Sequence, residues 1–211
     1  MSTDAAGLHT EEQRQVLLGL AVGSLESGLE HNRPLDIDMA DCPGWLTEKR
    51  ATFVTLKSAG KLRGCIGTLR AHTALCKDVT GNAWAAASRD PRFSPLTAAE
   101  LPGLAIQVSI LGIPEKMIFA SEQDLASRLR PGIDGLVLTE RSASGTFLPA
   151  VWESCPEPGI FLRQLKQKAG LEADYWSDSI EISRYTTESF GAEVKDIERR
   201  GIQRLAEFIR P

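Results

Sequence analysis

The sequence predicts an α+β protein with a mostly antiparallel sheet and flanking helices. Two strand-like runs, Ala51–Lys57 and Leu62–Gly67, are joined by the turn signal Ser58-Ala59-Gly60-Lys61 and predict a β-hairpin. An order of hairpin, helix and strand occurs over residues 51–111 and again over residues 134–185. Hairpins imply antiparallel pairing, so the two stretches suggest a duplicated unit.

The first half of the chain contains two predicted helices. Thr10 has the pattern of an N-cap, with Gln13 completing a capping box, and the helix runs to about Leu29. Residues 31–45 predict a loop because they include Pro34, Pro43 and Gly44. A second helix is predicted from His72-Thr73 to Ser88, and a half-buried strand from Leu101 to Leu111.

The second half predicts a short helix, a hairpin, another helix and a strand. The predicted elements are a helix over 121–130, strands over 134–140 and 146–151, a helix over 159–169 and a strand over 179–185. Gly170 is placed to end the helix predicted over residues 159–169. Residues 193–209 predict a terminal amphipathic helix interrupted by Gly201.

Composition and motifs exclude several functions. The net charge of −4 argues against broad nucleic-acid binding, although a small local RNA site stays open. No apolar run reaches membrane-span length and no signal peptide is evident, so we expect no membrane association and a cytoplasmic protein with free thiols. Cysteines and histidines lack metal-site spacing, and there is no dinucleotide fingerprint, phosphate loop or His-Glu-x-x-His. We therefore expect neither a metal nor a cofactor.

The run Leu62-Arg63-Gly64-Cys65-Ile66-Gly67 is the strongest candidate for a functional site. Side chains alternate along a strand, which predicts Arg63, Cys65 and Gly67 on one face. A guanidinium beside a thiol favours the thiolate, the reactive form of cysteine.

The same run resembles the signature of the AMMECR domain family, called AmmeMemoRadiSam system protein A in microbes. Further matches follow in order along the chain: Asn82-Ala83-Trp84-Ala85-Ala86-Ala87, Asp90-Pro91-Arg92-Phe93, Val108-Ser109-Ile110-Leu111, Gly132-Ile133-Asp134-Gly135-Leu136, Leu148-Pro149, Phe161-Leu162 and Lys168-Ala169-Gly170-Leu171. Ala150 departs from the family, which often has glutamine there, and the helix after Val194 looks like an extra.

The resemblance implies a compact α+β domain over residues 8–190, either whole or as subdomains of about 8–120 and 121–190, with residues 191–211 as a C-terminal amphipathic helix. The family's activity is not established. Its name implies association with a Memo-like protein and a radical S-adenosylmethionine (SAM) enzyme, and hence a component of a modification or biosynthetic system. The alternative is a non-catalytic binding or scaffold module for partner proteins or RNA.

The candidate catalytic residues are Cys65 and Arg63, and the candidate substrate-binding residues are Gly64, Gly67, Arg92 and His72. Arg63 and Arg92 suit an anionic small molecule because guanidinium groups bind carboxylates and phosphates. Structural alternatives stay open for each: a buried Cys65, glycines that permit close packing, an Arg92 that pairs with Asp90, and a structural His72.

Overall fold

The computed structural model describes residues 9–197, which form two four-stranded antiparallel sheets with helices, an α+β fold as predicted. The chain divides into two compact units. Among the described residues, unit 1 spans 9–110 and 188–197, and unit 2 spans Leu111–Thr187. The division lies after Ile110 rather than near residue 120, and the chain returns to unit 1 after unit 2.

The helices and strands have the following bounds. The helices are α1 (Glu11–His31), α2 (Gly44–Thr47), α3 (Leu75–Ser88), α4 (Glu122–Arg128) and α5 (Pro158–Lys168). The strands are β1 (Ala51–Ser58), β2 (Lys61–Gly67), β3 (Leu104–Leu111), β4 (Glu115–Lys116), β5 (Gly135–Glu140), β6 (Ala143–Phe147), β7 (Glu181–Tyr185) and β8 (Thr187–Glu193).

Unit 1 contains a sheet with the strand order β2-β1-β3-β8. Alternate side chains of β1 and β3 are buried, so one face of the sheet joins a core shared with α1 and α3, and the other face is only partly covered. The predicted capping box of α1 is present: the Thr10 hydroxyl accepts a hydrogen bond from the Gln13 amide, and the Gln13 side chain accepts one from the Thr10 amide. The predicted β1–β2 hairpin turns at Ala59 and Gly60, whose φ angles are +48° and +75°.

Strand β2 lies unusually close to helix α3 at Gly64. A Cβ atom on Gly64 would lie 2.2 Å from the carbonyl oxygen of Ala86. The inner face of β2 therefore requires glycine at this position, and the neighbouring Cys65 side chain is placed on the opposite face.

A buried aspartate ties α3 to the hairpin. One carboxylate oxygen of Asp78 accepts hydrogen bonds from the Thr52 amide at 2.8 Å and the Thr52 hydroxyl at 2.7 Å. The hydroxyl of Thr68 and the side-chain amide of Asn82 donate to the same oxygen. Since a buried carboxylate requires such donors, this network fixes the start of β1 and the chain after β2 against α3.

Unit 2 contains a sheet with the strand order β4-β7-β5-β6 and a separate core. Trp152 stacks on Phe161 of α5, with ring centroids 3.8 Å apart. The buried amine of Lys166 bonds the Glu122 carboxylate at 2.8 Å and joins α5 to α4. The predicted site residues all lie in unit 1.

The two sheets repeat one strand order. From its outer edge, each has the second hairpin strand, the first hairpin strand, the strand after the helix and then a fourth strand. The fourth strands are exchanged: β4 follows β3 in the chain but pairs with β7, whereas β8 follows β7 but lies next to β3. This order agrees with the duplicated unit that the sequence suggested.

Several predicted boundaries require correction. Helix α3 begins at Leu75, because the segment at Thr73 and Ala74 pairs with the chain before β1. The second hairpin has a two-residue turn at Arg141 and Ser142, so β6 begins at Ala143 and not at Thr146. Residues 149–153, part of which had been predicted as strand, form a 3-10 turn.

The predicted C-terminal helix does not begin at residue 191 or 193. Residues 191–193 end strand β8, and Val194–Asp196 form a 3-10 turn. The rest of that predicted helix lies outside the described residues.

Substitution of Gly64 by alanine is expected to destabilise the protein by about 3 kcal/mol, because the new methyl group collides with main-chain atoms of α3. The matched control is Gly81→Ala, in the middle of α3, where an added Cβ meets nothing within 4 Å and should raise stability by about 1 kcal/mol. Urea unfolding measures both changes. Equal stability of the two variants would contradict the proposed close approach.

Candidate functional site

Cys65 lies on the partly covered face of the sheet in unit 1. It is half-buried and stands opposite Thr55 in the β1–β2 register. The Thr55 hydroxyl donates a hydrogen bond to the Cys65 sulfur over 3.3 Å. A hydroxyl donor at this position stabilises negative charge on the sulfur.

The main chain of Cys65 is held by Asp90, in the loop that follows α3. Asp90 is 4% exposed, and its Oδ2 accepts the Cys65 amide hydrogen over 2.8 Å. Arg92 donates to both oxygens of the same carboxylate, from Nε at 2.9 Å and from Nη2 at 2.7 Å. Nη2 also lies 3.4 Å from the Cys65 carbonyl oxygen. Asp90 and Arg92 therefore clamp both polar groups of the Cys65 main chain.

These contacts set the charges around the thiol. The hydrogen bond from Arg92 holds the pKa of the Asp90 carboxyl well below its usual range. The pKa of Arg92 is raised, chiefly by its hydrogen bonds to Asp90. Arg92 is thus a permanent cation near the sulfur, with 54% of its side chain exposed.

Arg63 is held away from this arrangement by a different carboxylate. Its Nε and Nη2 donate to the two oxygens of Glu100 at 2.8 and 3.3 Å, and this hydrogen bonding lowers the pKa of Glu100 to about 2. The β1–β2 register shifts between Leu56 and Lys57, which leaves Arg63 as the extra residue of a bulge. The cation that contacts Cys65 is therefore Arg92, whereas the sequence had suggested Arg63.

Phe93 lies between the two guanidinium groups. Its ring centroid is 5.9 Å from Cζ of Arg63 and 5.5 Å from Cζ of Arg92. These contacts and the two carboxylates order the loop of residues 90–100 beside β2.

The other predicted site residues have structural surroundings. A Cβ on Gly67 would lie 2.3 Å from the Phe53 ring, so Gly67, like Gly64, permits close packing. His72 is an exposed loop residue before α3. Arg92 does pair with Asp90, one of the two interpretations considered for it, and its exposed side chain is still open to solvent.

The described residues contain no group of three or more His, Cys, Asp or Glu side chains placed to hold a metal ion. Within the same part of the chain, no helix combines the length and the apolar character needed to cross a bilayer. Cys76 and Cys155 are buried, and burial raises the pKa of the Cys76 thiol.

Two polar contacts of the site were not recognised in the sequence. Thr55 could have been found by pairing the predicted hairpin strands, which places it opposite Cys65. Glu100 carries no such local signal, because it is 37 residues from Arg63 along the chain.

Asp90→Asn is expected to destabilise the protein by about 2 kcal/mol at neutral pH, because the charged acceptor of Arg92 and of the Cys65 amide is lost. The Asp90 pKa is depressed in the folded protein, so this stability is present above the unfolded pKa of about 3.9 and is lost as pH falls through the lower folded value. The difference between variant and wild type should therefore shrink in acid.

Urea unfolding at neutral pH and at a series of acid pH values measures this change. The control is Asp36→Asn, which removes an exposed carboxylate. A variant as stable as wild type at neutral pH, or a difference that stays constant into acid, would contradict the role of Asp90.

Comparison with known proteins finds relatives over most of the chain. The family model described as AMMECR1 matches residues 18–190. A protein of Methanosarcina acetivorans is 36% identical, over 82% of this chain and 88% of its own length, and one of Thermofilum pendens is 32% identical, over 87% and 92%. A crystal structure of an uncharacterised Pyrococcus horikoshii protein superposes with a TM-score of 0.77 at 30% identity, covering 87% of this chain and 93% of that one. The chain therefore belongs to the AMMECR1 family.

Proposed function

We propose that the protein binds a small anionic molecule and reacts with it through the Cys65 thiol. The observation that carries this proposal is the polar cage around Cys65: a hydroxyl donor on the sulfur, a carboxylate on its amide and a guanidinium at its carbonyl. Of these contacts, the Thr55 hydroxyl is the one that acts on the sulfur itself, and a cysteine that served only as a small core residue would not need it.

Each residue of the cage has a distinct role in the proposal. Thr55 stabilises the thiolate by its hydrogen bond, and Asp90 fixes the main chain. Arg92 binds the anionic group of the substrate, since its exposed guanidinium keeps donors beyond those used by Asp90. Arg63 and Glu100 support the loop.

The proposed step is nucleophilic addition. The thiol releases its proton to solvent, and the sulfur electron pair forms a bond to an electrophilic carbonyl carbon. The displaced π electrons move to the carbonyl oxygen, where the nearby cation Arg92 favours negative charge.

We further propose that this reaction belongs to a modification or biosynthetic system that includes a Memo-like protein and a radical SAM enzyme. Membership of the AMMECR1 family supports the proposal through the family resemblance alone. Co-purification of this protein with both partners from its own genome tests it. We expect a complex with at least one of them, and separate elution of all three proteins would overturn the proposed association.

The second candidate function is a non-catalytic scaffold. Leu62 and Leu69, which flank the Cys65 strand segment, are 41% and 46% exposed, and such apolar side chains suit a protein partner. An RNA partner is less well supported, because carboxylates already pair with Arg63 and Arg92, the two arginines of the candidate site.

Alkylation of Cys65 distinguishes the two functions. We expect Cys65 to react faster than Cys42, a half-buried thiol away from the sheet, and much faster than the buried Cys76 and Cys155. Reaction rates for each cysteine come from peptide mass spectrometry after timed treatment with neutral iodoacetamide and anionic iodoacetate.

Charge-removing variants identify the cation that acts on the thiol. Arg92→Met should slow the reaction of Cys65 with iodoacetate about tenfold and its reaction with iodoacetamide less, because the guanidinium attracts the anionic reagent. Arg63→Met is the matched control, which removes the same charge, and it should change the ratio of the two rates much less than Arg92→Met, because Arg92 contacts Cys65 whereas Arg63 contacts Glu100. A Cys65 that stays protected until the protein unfolds would favour the scaffold.

A further inference from the structure

A groove of about 470 Å³ crosses the partly covered face of the sheet in unit 1, along β3 and β8. The side chains that matter here are those of Lys57, Ala105, Gln107, Ser189, Gly191 and Glu193. The volume lies within the range of small-molecule sites.

The floor of the groove is kept open by small residues. A Cβ on Gly191 would lie 2.5 Å from the Ile106 carbonyl oxygen and 3.1 Å from Cα of Gln107, so the close approach of β8 to β3 requires glycine. Ala105 adds only a methyl group to the same floor. The groove therefore reaches down to the main chain between taller polar side chains.

One wall of the groove presents hydrogen-bond donors. The Lys57 amine donates to Oε1 of Gln107 over 3.4 Å. This contact uses the acceptor of the Gln107 amide and leaves its two N–H donors for another group. Lys57 is half-buried, and among the described residues no carboxylate lies within ion-pair distance of its amine. A carboxylate bound here would supply the missing counter-charge.

The opposite wall presents an acid. Glu193 is exposed, and among residues 9–197 its side chain has no ion-pair partner. Strands β1, β3 and β8 are consecutive in the sheet, so the main chains of Lys57 and Glu193 are separated by two strand spacings, about 10 Å. The Lys57 side chain reaches inward to Gln107, and Glu193 lines the groove from β8, so a molecule with two opposite charges fits between them.

We propose that the groove binds a small zwitterion, an α-amino acid or a close analogue. Its carboxylate contacts Lys57 and Gln107, and its ammonium group contacts Glu193. Thr55 and Lys57 share one face of β1, two residues apart, so the groove begins about 7 Å from the Thr55–Cys65 pair.

Binding is tested on the full chain with the standard L-amino acids as probes. Saturation-transfer difference NMR of an equal mixture identifies a bound amino acid, and titration of the ¹⁵N-labelled protein locates it. We expect shifts at the amides of Gln107 and Gly191. The carboxylic acid without the amino group and the amine without the carboxylate are expected to bind at least about tenfold more weakly.

Matched variants test the two walls. Lys57→Met and Gln107→Glu should each weaken binding about tenfold, the second because its new carboxylate pairs with Lys57 and repels the ligand. Lys61→Met removes an exposed charge from the same hairpin outside the groove and should bind like wild type. Glu193→Gln should weaken the binding of the amino acid but not the binding of the carboxylic acid that lacks the amino group.

The outcomes separate this inference from the proposed function. Three outcomes would overturn the proposal that the groove binds an amino acid. They are failure of all the amino acids to bind, shifts only at amides away from the groove, and normal binding by Lys57→Met and Gln107→Glu. Retained binding together with a protected Cys65 would overturn the proposed function and leave the groove intact.

Discussion

The buried carboxylate of Asp90 connects the loop after α3 to the strand that carries Cys65. It accepts the Cys65 amide hydrogen and two donors of Arg92, and it is almost fully removed from solvent. A buried carboxylate with fewer donors would be costly, so its position depends on both partners at once. The strand, the arginine and the helix end are therefore positioned together, and the chemistry of the thiol depends on that geometry.

Carboxylates also determine which cations are available near Cys65. Glu100 and Asp90 each accept hydrogen bonds from Nε and Nη2 of one arginine, but only 14% of the Arg63 side chain is exposed, against 54% of the Arg92 side chain. On the same sheet, Lys57 has a neutral amide as its partner. Arg92, beside Cys65, and Lys57, in the groove, can therefore each bind an anionic ligand on this face of unit 1.

Local signals in the sequence predicted the elements that depend on near neighbours. The Thr10 capping box and the stop at Gly170, with φ +86°, were both correct because a few adjacent residues decide them. The second hairpin was misplaced because a glycine such as Gly145 is typical of loops. Gly145 is instead a strand residue, and a Cβ atom added to it would lie 2.9 Å from the main-chain nitrogen of Ala169. Strand β8 was missed since it exists through contacts such as Ser109 with Ser189, which lie 80 residues apart.

The candidate site shows the same limit. Strand alternation predicted Cys65 on the face opposite Gly64, as the structure has it, but the bulge at Arg63 interrupts the alternation that had placed its guanidinium beside the thiol. The position of a bulge depends on the pairing of both strands, and the position of Arg63 depends on Glu100. Neither can be read from six consecutive residues.

The exchanged fourth strands have a consequence for synthesis on the ribosome. The sheet in unit 1 has β8 at one edge, and β8 follows all of unit 2 in the chain. While unit 2 is being translated, the side of β3 that will receive β8 therefore has no partner from its own sheet, and an unpaired strand edge invites association with other chains. A nascent chain of this protein remains open to that association until β8 has left the exit tunnel.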